Sequence, residues 1–323
     1  MDSNERLTNY CLNVRSTDAA IPIELASVID YRIKREGYME GIGIEQMVDG
    51  NYIAPIFYPL LEYDTNVNGG NPQKPLKLGN ITLRGDSALK RKESLVYGGG
   101  VGAVGRVIYG PGKYIDYSST VSRKRSLKYG LSIDTIFARA CSKNHLGNWW
   151  YLDGCAFGFN EEKSLSKTRV RQISASMRKL LSSDRYRHHE ISITPIYFKT
   201  ENYKQEQIEL GLENLHQGGE VTSFHFLLGN DIGNQTGTEM RFKVGLKKIV
   251  AGKSIGLRWT RSRSNQTTLL GFDRRDKSDF IGFNIRMNPR VELQFGYSKT
   301  DSTIDYFDRS GFLGSINITP FSL

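Results

Sequence analysis

Four stretches near the end of the chain alternate strictly between apolar and polar residues. Met240, Phe242, Val244 and Leu246 interleave with Arg241, Lys243, Gly245 and Lys247. Ile255, Leu257 and Trp259 interleave with Ser254, Gly256, Arg258 and Thr260, and Ile281, Phe283, Ile285 and Met287 with Gly282, Asn284 and Arg286. Leu293, Phe295 and Tyr297 interleave with Glu292, Gln294, Gly296 and Ser298. A period of two belongs to strands that set one face against apolar surroundings and leave the other wet. From about residue 76 the pattern recurs almost without pause, so the chain must be an antiparallel β protein.

A soluble sandwich or open sheet alternates in the same way, so the connections decide. Loops at 230–238, 262–278 and 299–310 are long, whereas the turns at Gly218-Gly219, 249–252, 288–290 and Gly110-Pro111-Gly112 are short. Long connections on one side and short ones on the other mark an outer-membrane barrel. This spacing predicts an all-β, antiparallel transmembrane β-barrel of about 14 strands from Leu76 to Phe321, both termini on the periplasmic side. Residues 1–50 read as a periplasmic N-terminal segment, with a short helix near Pro22–Asp30. Residues 51–75 read as a lead-in, lumenal because Pro55 and Pro59 disfavour a central strand, or else as a first strand. A wall strand there would raise the count to 16.

The stretch YGGGVGAVGRVIY (Tyr97–Tyr109) contains Gly100-x-Gly102-x-x-Gly105, the spacing of a dinucleotide cradle. A cradle must open a helix, and Gly110-Pro111-Gly112 forbids one. Read with period two, one face is apolar with a tyrosine at each end, close to the about 9–11 residues of a tilted spanning strand. The other face carries Gly98, Gly100, Gly102 and Arg106. Three side-chain-free lumen positions imply close approach of other backbone, which on this reading is the lead-in around Ile53–Tyr63.

Composition agrees. The chain of 323 residues is 38% hydrophobic, with 33 Gly, 17 Tyr and 15 Phe. No run of about 18 apolar residues exists, which excludes a helical membrane protein but not a barrel. The net charge of +10 raises nucleic acid as a partner, yet the basic residues are scattered and no nucleic-acid module is visible. Clusters such as Arg123-Lys124-Arg125 and Arg274-Arg275 fall at expected loops and suit outer-membrane lipid and lipopolysaccharide. The N-terminal stretch shows no apolar signal-peptide core; export would also need barrel-insertion machinery.

The lumen face of the barrel collects Arg106, Arg241, Lys243, Lys247, Arg258, Arg286 and Arg290, with Glu190, Glu209 and Glu213 on the middle strands. A lumen of 14 strands is too wide for side chains alone to fill. Tyr97, Tyr109, Trp259, Phe295 and Tyr297 form the expected lipid-facing aromatic girdle. Asp64-Thr-Asn66-Val-Asn68-Gly69 opens like a calcium loop but has Pro75 where the bidentate Glu belongs; an Asx-rich turn is the plainer reading. His188 and His189 point to opposite faces and cannot share a metal. Ser223 and His225 share the lumen face and are the sole hint of a wall-borne hydrolase. No cofactor or metal site is expected. Cys141 and Cys155 are symmetric about a hairpin turn, within reach of a disulfide; two free thiols remain the alternative. Cys11 has no assigned partner.

The segment Val291–Phe321 resembles the last two strands of the surface lipoprotein assembly modifier family, at Tyr297, Ser302, Tyr306, Arg309 and Phe321. Tyr63-Asp64-Thr65-Asn66-Val67-Asn68 is similar to that family's entry into its barrel. Thr303 stands where the family carries Asn, and no helical repeats precede the barrel segment. The resemblance implies a 14-stranded barrel that helps move a surface lipoprotein or related effector across the outer membrane. Two functions follow: an outer-membrane protein assisting export or display of a polypeptide, and, as the alternative, a porin-like channel for small anionic solutes.

Overall fold

A computed structural model describes residues 51–318 except residues 73, 111–112, 148–149, 183–187, 217–219, 251–252 and 289–290. The segment 1–50 with its expected helix, Cys11, Arg290 and Phe321 lie outside the described residues. The strands are β1 (Tyr52–Asp64), β2 (Leu76–Leu78), β3 (Ile81–Leu83), β4 (Ser94–Gly110), β5 (Lys113–Ser126) and β6 (Ser132–Gly147). They continue with β7 (Trp150–Lys163), β8 (Ser166–Ser182), β9 (His188–Thr200), β10 (Lys204–Leu215), β11 (Val221–Gly229) and β12 (Thr238–Val250). The last are β13 (Lys253–Ser264), β14 (Thr267–Leu269), β15 (Phe272–Arg274), β16 (Asp276–Asn288), β17 (Val291–Ser302) and β18 (Arg309–Ile318).

Fourteen of these strands close into one antiparallel barrel, β18 returning to β1. Closure pairs every wall strand on both sides, as backbone placed in lipid requires. β2 with β3, and β14 with β15, form two separate hairpins in the long connections on one rim. The opposite rim carries the short connections, the start of β1 and the end of β18.

The alternation sorts the side chains by face. Ile53, Phe57 and Leu61 of β1, Val101 of β4, Ile173 of β8 and Phe312 of β18 all stand exposed on the outside. Exposure of this extent, continuous around the wall, is what a lipid-facing band looks like and what a soluble sandwich would bury. The alternate positions of the wall strands turn inward, and the buried charged residues Arg106, Lys143, Asp153, Glu190 and Glu213 all stand on them.

The first strand corrects one expectation. Tyr52–Asp64 is a wall strand, not a lumenal lead-in, and it pairs along its whole length with β4. The count nevertheless stays at 14, because Leu76–Leu83 is a separate hairpin and not the first wall strand. Two prolines fit in β1 because residues four apart in a strand direct their backbone groups to the same edge, so the missing N–H groups fall together. Among the described residues that edge is lightly used: β1 pairs with β18 only from Leu60 to Tyr63.

The glycine row changes meaning accordingly. The stretch Tyr97–Tyr109 lies wholly within β4, with Gly98, Gly100 and Gly102 facing inward. Tyr58 of β1 sits directly opposite Gly100, and its ring occupies the space a Cβ there would need. Carbonyl oxygens of Arg123 and Ser119 crowd the Cβ directions of Gly98 and Gly102. An aromatic ring and the neighbouring strand, not a threaded segment, exclude side chains there.

On the long-loop rim, Val67 tucks inward against Val96 and Ile133. Asn68 pins this turn: its amide donates to Lys90 O (2.8 Å) and its carbonyl oxygen accepts from Lys92 N (2.8 Å).

Candidate functional site: a charged lumenal cavity

The interior is uneven. Around β10 to β18 and β1 it holds a cavity of about 990 Å³. Two adjacent inward rows explain the space. One runs Glu213, Ser223, Gly245, Arg258, Gly282, Gly296, each residue directly opposite the next across neighbouring strands. The other runs Gly211, His225, Lys243, Thr260, Phe280, Ser298. Glycine and serine hold several of these positions, so the wall contributes little volume to its own lumen.

The charges in this region are unevenly matched. Glu209 receives Lys243 Nζ at 3.1 Å and Arg241 at 3.5 Å, and His225 Nδ1 lies 3.3 Å from its other oxygen. Two fixed cations and an imidazole thus share one carboxylate. Arg286 pairs with Glu292 at 3.3 Å. Arg258 has no ion pair among the described residues and stands exposed to the cavity. Its guanidinium sits over the Phe280 ring, 5.1 Å from the centroid. That ring lies flat on the wall: a Cβ on Gly282 would be 2.6 Å from it, and one on Gly296 2.8 Å. The two glycines seat the ring, and the ring supports the arginine, a cation–π arrangement that holds a charge without neutralising it.

Around β5 to β9 the interior is packed. Lys143 Nζ reaches Asp153 at 3.2 Å, with both side chains nearly inaccessible. Arg178 bridges Asp153 (3.4 Å) and Glu190 (2.9 Å). Arg106 Nε donates to Asp116 (2.7 Å) while its guanidinium covers Tyr114 at 4.5 Å. Cys141 and Cys155 occupy directly opposed register positions and are joined as a disulfide.

All six expected lumen residues therefore face inward, but they divide. Lys243 and Arg258 line the open region, Glu209, Arg241 and Arg286 lie beside it through their ion pairs with Lys243, Glu209 and Glu292, and Arg106 is buried in the packed one. Tyr97, Tyr109, Trp259, Phe295 and Tyr297 face outward. Phe280 escaped the sequence reading, although the signal was there: it is an aromatic on the parity otherwise held by Gly282, Asn284 and Arg286. Glu62 of β1 also reaches the lumen, paired with Lys124 at 2.6 Å.

The weaker motifs resolve locally. Asp64 accepts from Asn66 N (2.7 Å) and from Lys163 Nζ (2.7 Å), and the Asn66 side-chain oxygen accepts from Gly70 N (2.9 Å). The oxygens of the calcium-like loop thus serve an Asx turn and a lysine. His225 Nε2 faces Glu213 at 3.7 Å, so both ring nitrogens point at carboxylates rather than at Ser223. His189 Nδ1 lies 2.7 Å from Asn214 Oδ1; the His188 side chain is outside the described residues. In the segment that carries the family resemblance, Ser302 donates to Asp276 (2.7 Å) and Arg309 Nε to Thr300 (3.3 Å). The Ser302 backbone N–H on Asp308, aided by Lys74, holds the Asp308 carboxyl below its ordinary range.

No family model and no curated protein matches the chain, so the resemblance to surface lipoprotein assembly modifiers gains no support from those comparisons. Solved structures do match. Pseudomonas putida OprB superposes with a TM-score of 0.45 at 8% identity, covering 85% of this chain and 95% of that one. Acinetobacter baumannii OccAB3 gives 0.42 at 6%, covering 84% and 99%. The outer membrane protein OprD from Pseudomonas aeruginosa gives 0.42 at 6%, covering 84% and 93%.

Proposed function

We propose that the chain is a passive, porin-like channel of the outer membrane for small anionic solutes. One observation carries this reading: inside a closed wall lies a cavity of about 990 Å³ into which Arg258 stands exposed, with no ion pair among the described residues. A cation left without a counter-charge between low-dielectric walls raises the local concentration of anions, and Arg or Lys side chains in a pore favour anions. Arg258 on its Phe280 seat is the binding step, and the shared Glu209 keeps Arg241 and Lys243 from over-holding the solute.

The test is conductance. The full chain, folded from urea into detergent and placed in a planar bilayer, is expected to give stable anion-selective openings. Arg258→Glu with Arg286→Glu should lower the anion preference several-fold, read from the reversal potential in a salt gradient. Export or display of a polypeptide, as the family resemblance implies, is the competing reading. It expects a barrel that inserts, shows heat-modifiable mobility and conducts nothing, and that result would overturn the channel.

A further inference from the structure

The outer face of the wall carries a second charged feature, unrelated to the lumen. Arg171 of β8, Lys199 of β9 and Lys204 of β10 are all exposed and face outward near the long-loop rim. Arg171 lies directly opposite Lys199, and Lys199 directly opposite Lys204. Like charges in opposed positions of a sheet destabilise it. Elsewhere on this rim outward cations are matched by carboxylates, as in Arg261–Asp279 (2.9 Å), Arg123–Asp134 (2.6 Å) and Arg169–Glu201 (3.6 Å). None of the three in the row has an ion pair among the described residues. Glu206, two positions from Lys204 on the same face, is the adjacent carboxylate and leaves the row net positive.

Immediately below the row the wall is concave and mostly apolar, with Glu206 at its edge opposite Tyr197. A groove of about 1080 Å³ is floored by Gly154, Ala156 and Ala175 and flanked by Ile173, Tyr197 and Ile208. A Cβ on Gly154 would meet nothing within 4 Å. Ile173 and Tyr197 are opposed one pair below Arg171 and Lys199, which puts an aromatic at the level where wall passes from charged to apolar.

We propose that this face binds a phosphorylated, multiply acylated glycolipid of the outer leaflet, of the lipid A class. Phosphates would sit on the Arg171–Lys199–Lys204 row and acyl chains would lie in the groove. Cations on three neighbouring strands about 4.8 Å apart span about 10 Å, wider than one phosphate group, so the row fits a broad headgroup with more than one phosphate. Basic residues beside an apolar wall are the general means of holding anionic lipid. The inference rests on the barrel's place in a membrane and not on what its lumen conducts.

The test uses the full chain folded in detergent micelles and native mass spectrometry with four probes: diphosphorylated lipid A, its dephosphorylated form, phosphatidylethanolamine and inorganic phosphate. Diphosphorylated lipid A should bind wild type at least tenfold more tightly than the other three. The variant Arg171→Gln/Lys199→Gln/Lys204→Gln should lose that preference while retaining wild-type conductance, and Glu206→Gln should tighten binding. Should the triple variant fail to fold, Lys199→Gln and the dephosphorylated lipid ask the same question. Equal binding of both lipid A forms, undiminished binding by a folded variant, or inorganic phosphate binding as tightly as lipid would each overturn the site. So would lipid-free dimers through this face.

Discussion

The two sides of the lumen use similar residue types to opposite ends. Around β5 to β9 long side chains meet in matched pairs: Lys143 with Asp153, Arg178 with Asp153 and Glu190, Arg106 with Asp116. Around β10 to β18 glycines and serines hold several of the inward positions, and Arg258 stands exposed there with no ion pair among the described residues. Polarity alone does not make a lumen open. What decides is whether neighbouring inward positions carry enough side-chain volume to meet across the space. Where they do, charge becomes structure; where glycine intervenes, charge faces the passage.

This contrast can be broken most forcefully at Asp153. Removing it takes away a carboxylate that both Lys143 and Arg178 reach, in a site nearly closed to water. Loss of one partner from a buried pair costs about 3–5 kcal/mol, so Asp153→Ala should unfold at markedly lower urea in detergent. Glu209→Ala removes a carboxylate shared by Lys243, Arg241 and His225 beside the open side, where hydrated cations tolerate the loss; about 1 kcal/mol is expected. Equal losses in the two variants would mean that the halves are not energetically distinct.

The disulfide gives the next effect. It spans 14 residues of sequence, and closing a loop of about that length contributes about 3 kcal/mol at most through the unfolded chain. Cys141→Ser/Cys155→Ser should lower the urea midpoint by no more than that and leave conductance unaltered, since the bridge belongs to the packed side. A change in conductance would show that the packed side also borders the passage.

Much of this was legible in the sequence. The period of two gave both faces of most strands, and the symmetric cysteines are indeed opposed. Prolines hid β1, because two residues disfavoured in a strand interior are tolerated when their missing donors fall on a single edge. The division of the lumen was not legible, because it depends on register. Alternation says that Gly245, Gly282 and Gly296 face inward. Only the pairing of five strands shows that Ser223, Gly245, Arg258, Gly282 and Gly296 form a single row. Likewise Arg171, Lys199 and Lys204 are ordinary surface residues until register sets them side by side.

The smallest effect separates two glycines of that row. Glycine weakens a strand by roughly 0.5–1 kcal/mol relative to alanine, through the freedom its unfolded chain must lose. At Gly245 a new Cβ would meet the Ser223 hydroxyl, the free end of a short side chain that can rotate away. Gly245→Ala should therefore match or slightly exceed wild-type stability and narrow the passage only by a methyl group, with ion preference unchanged. At Gly282 the Cβ would come within 2.6 Å of the Phe280 ring. The ring cannot stay flat, and Arg258, 5.1 Å from its centroid, must move with it. Gly282→Ala should thus alter the reversal potential as well as the conductance. The comparison holds if the two alanines differ in selectivity and fails if they differ in conductance alone, since Phe280 would then be packing and not the seat of a charge.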